Sequence, residues 1–247
     1  MQTPPQPSIA WCLFLDVDGT LVELTDTPQG AAADAELKAL LAQVRDVLGG
    51  AVALVSGRSI DRLDELFAPL RLPAAGLHGV ERRSASGERF GVGGIDPELD
   101  AARRRLQEFV AAHPAALLED KRRTLAIHFR REPPLEAPLR RITAELAAAS
   151  AGRYHVQEGS MVFELKPVGS SKATAIGDFL GEAPFLGRLP VFIGDDLTDR
   201  DGFALVESRG GIPIAVGGRV RARVQLEDPA AVHGLLRAIA ALPSGSR

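Results

Sequence analysis

The chain has 247 residues, 45% of them hydrophobic and 25% charged, and a net charge of -3; this is ordinary globular composition, and nothing in it advertises nucleic acid or an anionic membrane as partner. One cysteine, Cys12, excludes a disulfide framework and suits a reducing compartment. No apolar run approaches the ~20 residues of a membrane span, so a cytoplasmic monomer is expected, with neither nucleic acid nor membrane as partner. Residues 1–7 carry no basic region and read as a loose tail, not a signal peptide. A first strand, 11–16, runs into Asp16-Val17-Asp18-Gly19-Thr20. A helix over 33–48 follows, then a strand over 51–56 that ends in Ser56-Gly57-Arg58, a helix over 59–67 and a strand over 74–77.

The pattern changes from about residue 80 to 166. Leu125, Ile127 and Phe129 alternate with Ala126, His128 and Arg130, and 162–166 alternates in the same way, the period of a sheet covered on one face. Helices are expected over 96–112 and 135–149, punctuated by Gly91-Val92-Gly93-Gly94 and Pro133-Pro134. The first pattern then resumes. A helix spans 171–180, a strand 190–194 leads into Asp195-Asp196, and a helix over 199–207 precedes a strand over 212–216. In the last helix Asp228 caps, Pro229 fits the first turn, and Val232, Leu235, Leu236 and Ile239 form one apolar face. Residues 243–247 read as a frayed end. Short apolar strands separated by amphipathic helices give an α/β fold with a parallel sheet covered on both faces. Residues 1–81 and 167–247 form that core, and 82–166 form a small inserted α+β module.

In such a sheet the ligand crevice lies beyond the carboxyl ends of the strands, where Asp16, Ser56 and Asp195 all fall. Two carboxylates one residue apart at a buried strand end repel each other unless a cation or a shared proton offsets them. Asp16-x-Asp18 therefore points to a divalent metal site with a carboxylate nucleophile; an Asp-rich turn is the plain alternative. The hydroxyl and backbone N–H groups of Ser56-Gly57-Arg58 suit a phosphoryl oxygen, although the same residues make ordinary turns. Lys172 opens a helix, and alone it reads as a surface charge. Gly194-Asp195-Asp196-Leu197-Thr198-Asp199 sets three acids within six residues after an apolar strand. A hard divalent ion takes carboxylates, a carbonyl, waters and a substrate phosphate; Asp16, the carbonyl of Asp18 and Asp195 supply the protein share, with Lys172 neutralising the nucleophile.

These four segments, in this order, resemble the four motifs of the haloacid dehalogenase superfamily of phosphotransferases. The insert, between the second and third motifs, resembles the α/β cap of the sugar-phosphate phosphatases in that superfamily. Gly76-Leu77-His78-Gly79 with Glu81, Glu119-x-Lys121, His128-x-Arg130, the strand over 159–166 and Gly194–Asp199 narrow the resemblance to the trehalose-6-phosphate phosphatases. It covers about residues 13–217. The resemblance implies a Rossmann-like core and a Mg2+ cofactor. It implies Asp16 as the nucleophile that forms a phosphoaspartate and Asp18 as acid and then base. Ser56 and Lys172 would hold phosphoryl oxygens, Asp195 would complete the metal site, and Asp196 and Asp199 would stand in or near it. Arg58 and His78 would lie toward the substrate, and Glu119, Lys121, Arg130 and Glu164 would contact the sugar of a phosphorylated disaccharide. Two positions depart from the family pattern: Arg200 stands where the family has Glu, and Ser160 where it commonly has Lys. Ser160 leaves sucrose phosphate and mannosylglycerate phosphate as alternative substrates, with Arg153 or Lys166 as compensating charges. A non-catalytic phosphosugar sensor is the alternative of another class.

Overall fold

The computed structural model describes residues 5–24, 32–91 and 96–243. Residues 1–4 of the expected tail, 92–94 of the glycine run and 244–247 of the expected frayed end lie outside the described residues. The chain forms two compact units, Met1–Gly91 with Ser171–Arg247, and Val92–Ser170.

In chain order the first unit opens with β1 (Trp11–Leu15), α1 (Ala35–Val47), β2 (Val52–Val55), α2 (Ile60–Phe67), β3 (Ala74–Gly76), β4 (Glu81–Arg83) and β5 (Arg89–Phe90). The second unit holds α3 (Pro97–Ala112), β6 (Leu117–Asp120), β7 (Leu125–His128), α4 (Glu136–Ala149), β8 (Tyr154–Gly159) and β9 (Val162–Pro167). The first unit then resumes with α5 (Lys172–Leu180), β10 (Leu189–Gly194), α6 (Arg200–Ser208), β11 (Ile212–Val216), β12 (Val224–Leu226) and α7 (Pro229–Ala240).

The large sheet runs β12-β11-β10-β1-β2-β3-β4-β5, parallel from β12 to β3 and antiparallel over the last two pairs. Alternation along each strand feeds two apolar layers. Leu13, Leu15, Leu54 and Ile193 pack with Leu41 and Val44 of α1, Leu63 of α2 and Leu236 of α7. Cys12, Phe14, Val55 and Phe192 pack on the other face with Ile176 and Phe179 of α5, Phe203 of α6 and Phe185. Burying one such aromatic or aliphatic side chain contributes roughly 1.5–3 kcal/mol. Side-chain caps fix the helix starts: Asp34 accepts from Leu37 N–H at 2.7 Å and Asp228 from Ala231 N–H at 2.8 Å.

Residues 82–90 were expected in the insert, but Arg82 pairs with Ala75 and Phe90 with Arg82, so β4 and β5 extend the large sheet. Their charges are used inward. Arg83 makes a bidentate pair with Asp64 of α2 at 2.7 and 2.8 Å, and Arg82 lies over the Phe179 ring and pairs with Glu182 at 2.8 Å.

The second unit is a four-stranded antiparallel sheet, β6-β7-β9-β8. Leu125, Ile127, Phe163 and Leu165 pack on Leu106 of α3 and Leu139 of α4. The opposite face carries the polar side chains. Among the described residues, no helix is long and apolar enough to cross a membrane.

Candidate active site

β1 and β10 are parallel neighbours with Leu15 opposite Ile193, so the chain leaves both at the same sheet edge and brings Asp16 beside Asp195. The Asp16 N–H donates to Ile193 O at 2.9 Å. The loop that follows passes so close that a Cβ on Gly19, whose φ is 78°, would lie 2.3 Å from Asp195 Oδ2; only glycine fits there. Asp199 closes a 3-10 turn, Leu197–Asp199, that folds back on the strand end. Its Oδ2 accepts from Asp196 N–H at 2.9 Å, and a Cβ on Gly194 would meet its carboxylate at 2.5 Å. One oxygen from each of Asp16, Asp195 and Asp199 lies within 4.8 Å of the others, and all three residues are buried.

A single buried ammonium answers this cluster. Ser171 and Thr174 form a capping box at the start of α5, which sets Lys172 at its first position. Lys172 Nζ lies 2.8 Å from Asp16 Oδ1 and 2.6 Å from Asp199 Oδ1. Burial works against the charge on Lys172, but Asp16 and Asp199 hold its pKa above the usual lysine value. Burial pushes Asp16 well above the usual carboxylate range; Lys172 opposes that rise and Asp199 and Asp195 add to it. Burial and Asp199 push Asp195 up to about 6. Three clustered carboxylates against one buried ammonium, with only the half-exposed Arg219 guanidinium at the Asp195 edge, leave negative charge uncompensated. That donor set of hard oxygens fits a divalent cation such as Mg2+.

Asp18 faces elsewhere. Its carboxylate accepts a two-pronged contact from Arg58, with Nε at 2.7 Å and Nη2 at 2.6 Å. Its expected part in the metal site rests on the backbone carbonyl, and the third clustered carboxylate is that of Asp199. Ser56 follows β2 directly, nearly without exposure, and its hydroxyl oxygen accepts from Arg58 N–H at 3.2 Å. The turn Leu77–Gly79 clamps this loop: Leu77 N–H donates to Arg58 O and His78 N–H to Ser56 O, both at 2.9 Å. Leu77 and His78 both adopt positive φ to do so. Glu81 accepts from Ile60 N–H at 2.6 Å and so holds the start of α2 beneath Arg58. Arg219, not singled out in the sequence, extends from the loop after β11 to within 3.5 Å of Asp195.

In the second unit the register puts Glu119, Ala126, Glu164 and Gln157 in one row across the sheet. Glu119 meets His128 Nε2 at 3.1 Å, Lys121 lies 3.4 Å from Glu164, and Lys166 donates to Gln157 at 3.1 Å. Thr124, also missed in the sequence, donates to Glu164 Oε1 at 2.7 Å. Lys121 stands in the turn beyond β6. Two sequence expectations differ here. β7 stops at His128, because the chain turns and Glu132 N–H bonds Phe129 O; Arg130 is exposed on that turn. Ser160 sits in the tight β8–β9 turn beside Met161 at φ 60°, not in a strand. Arg153 pairs with Glu98, and Arg200 is exposed.

The family model for trehalose-phosphatase matches residues 14–225. The chain belongs to the trehalose-phosphatase family. This is a family of phosphoric monoester hydrolases. The chain is 38% identical to a probable trehalose-phosphate phosphatase of Sinorhizobium fredii over 232 residues, covering 94% of this chain and 87% of that one. It is also 38% identical to trehalose-6-phosphate phosphatase of Escherichia coli over 213 residues, 86% of this chain and 80% of that one. A crystal structure of a trehalose-6-phosphate phosphatase related protein aligns with a TM-score of 0.75 at 26% identity, covering 93% of this chain and 96% of that one.

Proposed function

We propose that this chain hydrolyses trehalose 6-phosphate to trehalose and phosphate through a phosphoaspartyl intermediate on Asp16. The observation that carries the reading is the buried triplet of Asp16, Asp195 and Asp199 against the Lys172 ammonium. A carboxylate oxygen of Asp16 attacks phosphorus, and the bond from phosphorus to the sugar oxygen breaks. Asp18 gives a proton to that leaving oxygen, then takes one from the water that attacks the phosphoaspartate; phosphate leaves and Asp16 is restored. The Ser56 hydroxyl and Lys172 hold the phosphoryl oxygens where charge develops. Asp16, the carbonyl of Asp18 and Asp195 would hold Mg2+, whose chemistry there is to neutralise charge between nucleophile and phosphoryl group. Asp199 fixes Lys172, and Asp196 fixes the turn that carries Asp199.

Arg58, His78, Glu119, Lys121, Arg130 and Glu164 contact the substrate in this reading. A disaccharide is told from other sugars by polar groups that a wrong ligand leaves unpaired, and the paired acids and cations of the second sheet suit that task. The relatives from S. fredii and E. coli, each 38% identical, bear the trehalose-phosphate activity in their names, which supports this substrate. The reading includes a cytoplasmic monomer, in keeping with the lone buried thiol of Cys12.

Phosphate release from a panel of disaccharide and monosaccharide phosphates, with and without Mg2+, tests it. Trehalose 6-phosphate should be turned over fastest and only with the metal. Equal or faster release from sucrose phosphate or mannosylglycerate phosphate would overturn the substrate, and no release from any phosphosugar would favour a sensor.

A further inference from the structure

The turn between β6 and β7 is unusually well tied for a surface hairpin. Asp120 accepts from Arg122 N–H at 2.8 Å and pairs with Arg103 of α3 at 2.6 Å. Arg122 takes a left-handed φ of 68°, and Lys121 N–H closes the turn on Thr124 O at 3.1 Å. The residue so held, Thr124, is wholly buried, and its hydroxyl donates to Glu164 Oε1 at 2.7 Å. Lys121, from the same turn, lies 3.4 Å from the same oxygen. Glu164 is itself buried, on β9, with Ala126 of β7 on one side and Gln157 of β8 on the other.

We infer that Thr124 is a positioning residue for sugar recognition: its hydroxyl locks the Glu164 carboxylate in the orientation that reads the disaccharide. The inference rests on the reading of Glu164 as a sugar-contacting group. A glutamate has three side-chain torsions, and freezing them at the moment of binding weakens affinity. A neighbour that freezes them during folding removes that cost. Threonine suits the task because its branched Cβ leaves χ1 stiff, so the hydroxyl points one way. Its single proton is spent on Glu164, so it takes no part in the phosphoryl chemistry. Lys121 cannot substitute, because a long flexible ammonium fixes distance but not direction.

The test compares Thr124→Val, which keeps shape and removes the hydroxyl, with Thr124→Ser, which keeps the hydroxyl, and with Glu164→Gln. Each variant is assayed on trehalose 6-phosphate and on p-nitrophenyl phosphate, with thermal melts alongside. Thr124→Val should raise KM for the disaccharide about three- to tenfold, the size of one long side chain that must be immobilised on binding, with kcat and the small-ester kinetics unchanged. Thr124→Ser should recover most of the loss. If Glu164→Gln raises that KM and Thr124→Val does not, the positioning role is wrong while the sugar-reading role of Glu164 stands. If neither moves it, the reading of Glu164 fails and the inference with it. If Thr124→Val impairs both substrates alike and lowers the melting temperature, Thr124 serves the fold alone and the inference is overturned.

Discussion

The acidic cluster of the first unit is buried and the polar row of the second is partly exposed, and the two are balanced in opposite ways. In the first, Asp16 and Asp199 share one buried ammonium, Asp195 has only the half-exposed Arg219 guanidinium at 3.5 Å, and two of the three carboxylates are pushed upward in pKa. In the second, each carboxylate has neighbouring donors: Glu119 has His128, Glu164 has Thr124, and Lys121 lies between the two acids. An unbalanced cluster calls for a ligand that brings positive charge. A balanced row suits a neutral, hydroxyl-rich one, because its groups exchange one hydrogen bond for another without exposing a bare charge. On the proposed function, phosphoryl chemistry and sugar reading separate by electrostatic balance.

The sharpest way to break this comparison is at the nucleophile. Asp16→Asn should lower kcat by at least about 10⁴-fold while the melting temperature holds or rises, since one repelling charge has gone. Retained turnover would remove Asp16 from its role.

Lys172→Met comes next. Loss of the ammonium should cost about 10²–10³ in kcat. It leaves Asp16 and Asp199 without their buried cation, so the metal-free protein should be destabilised by roughly 3–5 kcal/mol, and Mg2+ should restore more of the melting temperature than it adds to the unaltered chain. An unchanged melt would mean the cluster is less charged than its geometry implies.

A smaller effect separates the second region. Glu119→Ala should raise KM for the disaccharide by about tenfold while leaving a small phosphate ester untouched. Equal effects on both would dissolve the division of labour.

The smallest effect is alkaline. Burial pushes the Cys12 thiol from 9.0 to about 12, and burial with Asp96 pushes the Tyr154 phenol from 10.0 to about 12. Both groups keep their protons in the folded chain after the unfolded chain has released them. Their stabilisation is thus complete below pH 9 for Cys12 and below pH 10 for Tyr154, and it fades as pH rises toward 12. Melts from pH 8 upward on Cys12→Ala and Tyr154→Phe should each show a shallower alkaline decline than the parent.

The contrast also explains what could be read from the residues alone. β1, β2, β10 and β11 were legible because both faces are buried, which forces unbroken apolar runs such as Cys12-Leu13-Phe14-Leu15. The first-unit site was legible for the same reason: Asp16, Ser56 and Asp195 stand where those runs stop. β4 was not, since Glu81-Arg82-Arg83 looks like a loop until Asp64 and Glu182 are known to receive the arginines. β6 was not, because Leu117 is exposed and Glu119 and Asp120 are charged. Among the three acids of the fourth segment, spacing could not tell which turns inward. The 3-10 turn decides it, burying Asp199 and leaving Leu197 exposed. Thr124 left no signal because its partner lies forty residues away in sequence.

Rapid acid quench of a single turnover, followed by peptide mass spectrometry, tests the central claim most directly. The peptide containing Asp16 should carry one phosphoryl group that appears before free phosphate, vanishes as phosphate is released, and is absent in Asp16→Asn. Phosphate released at full rate with no modified peptide at any time, or a phosphoryl group found on another residue, would contradict the account.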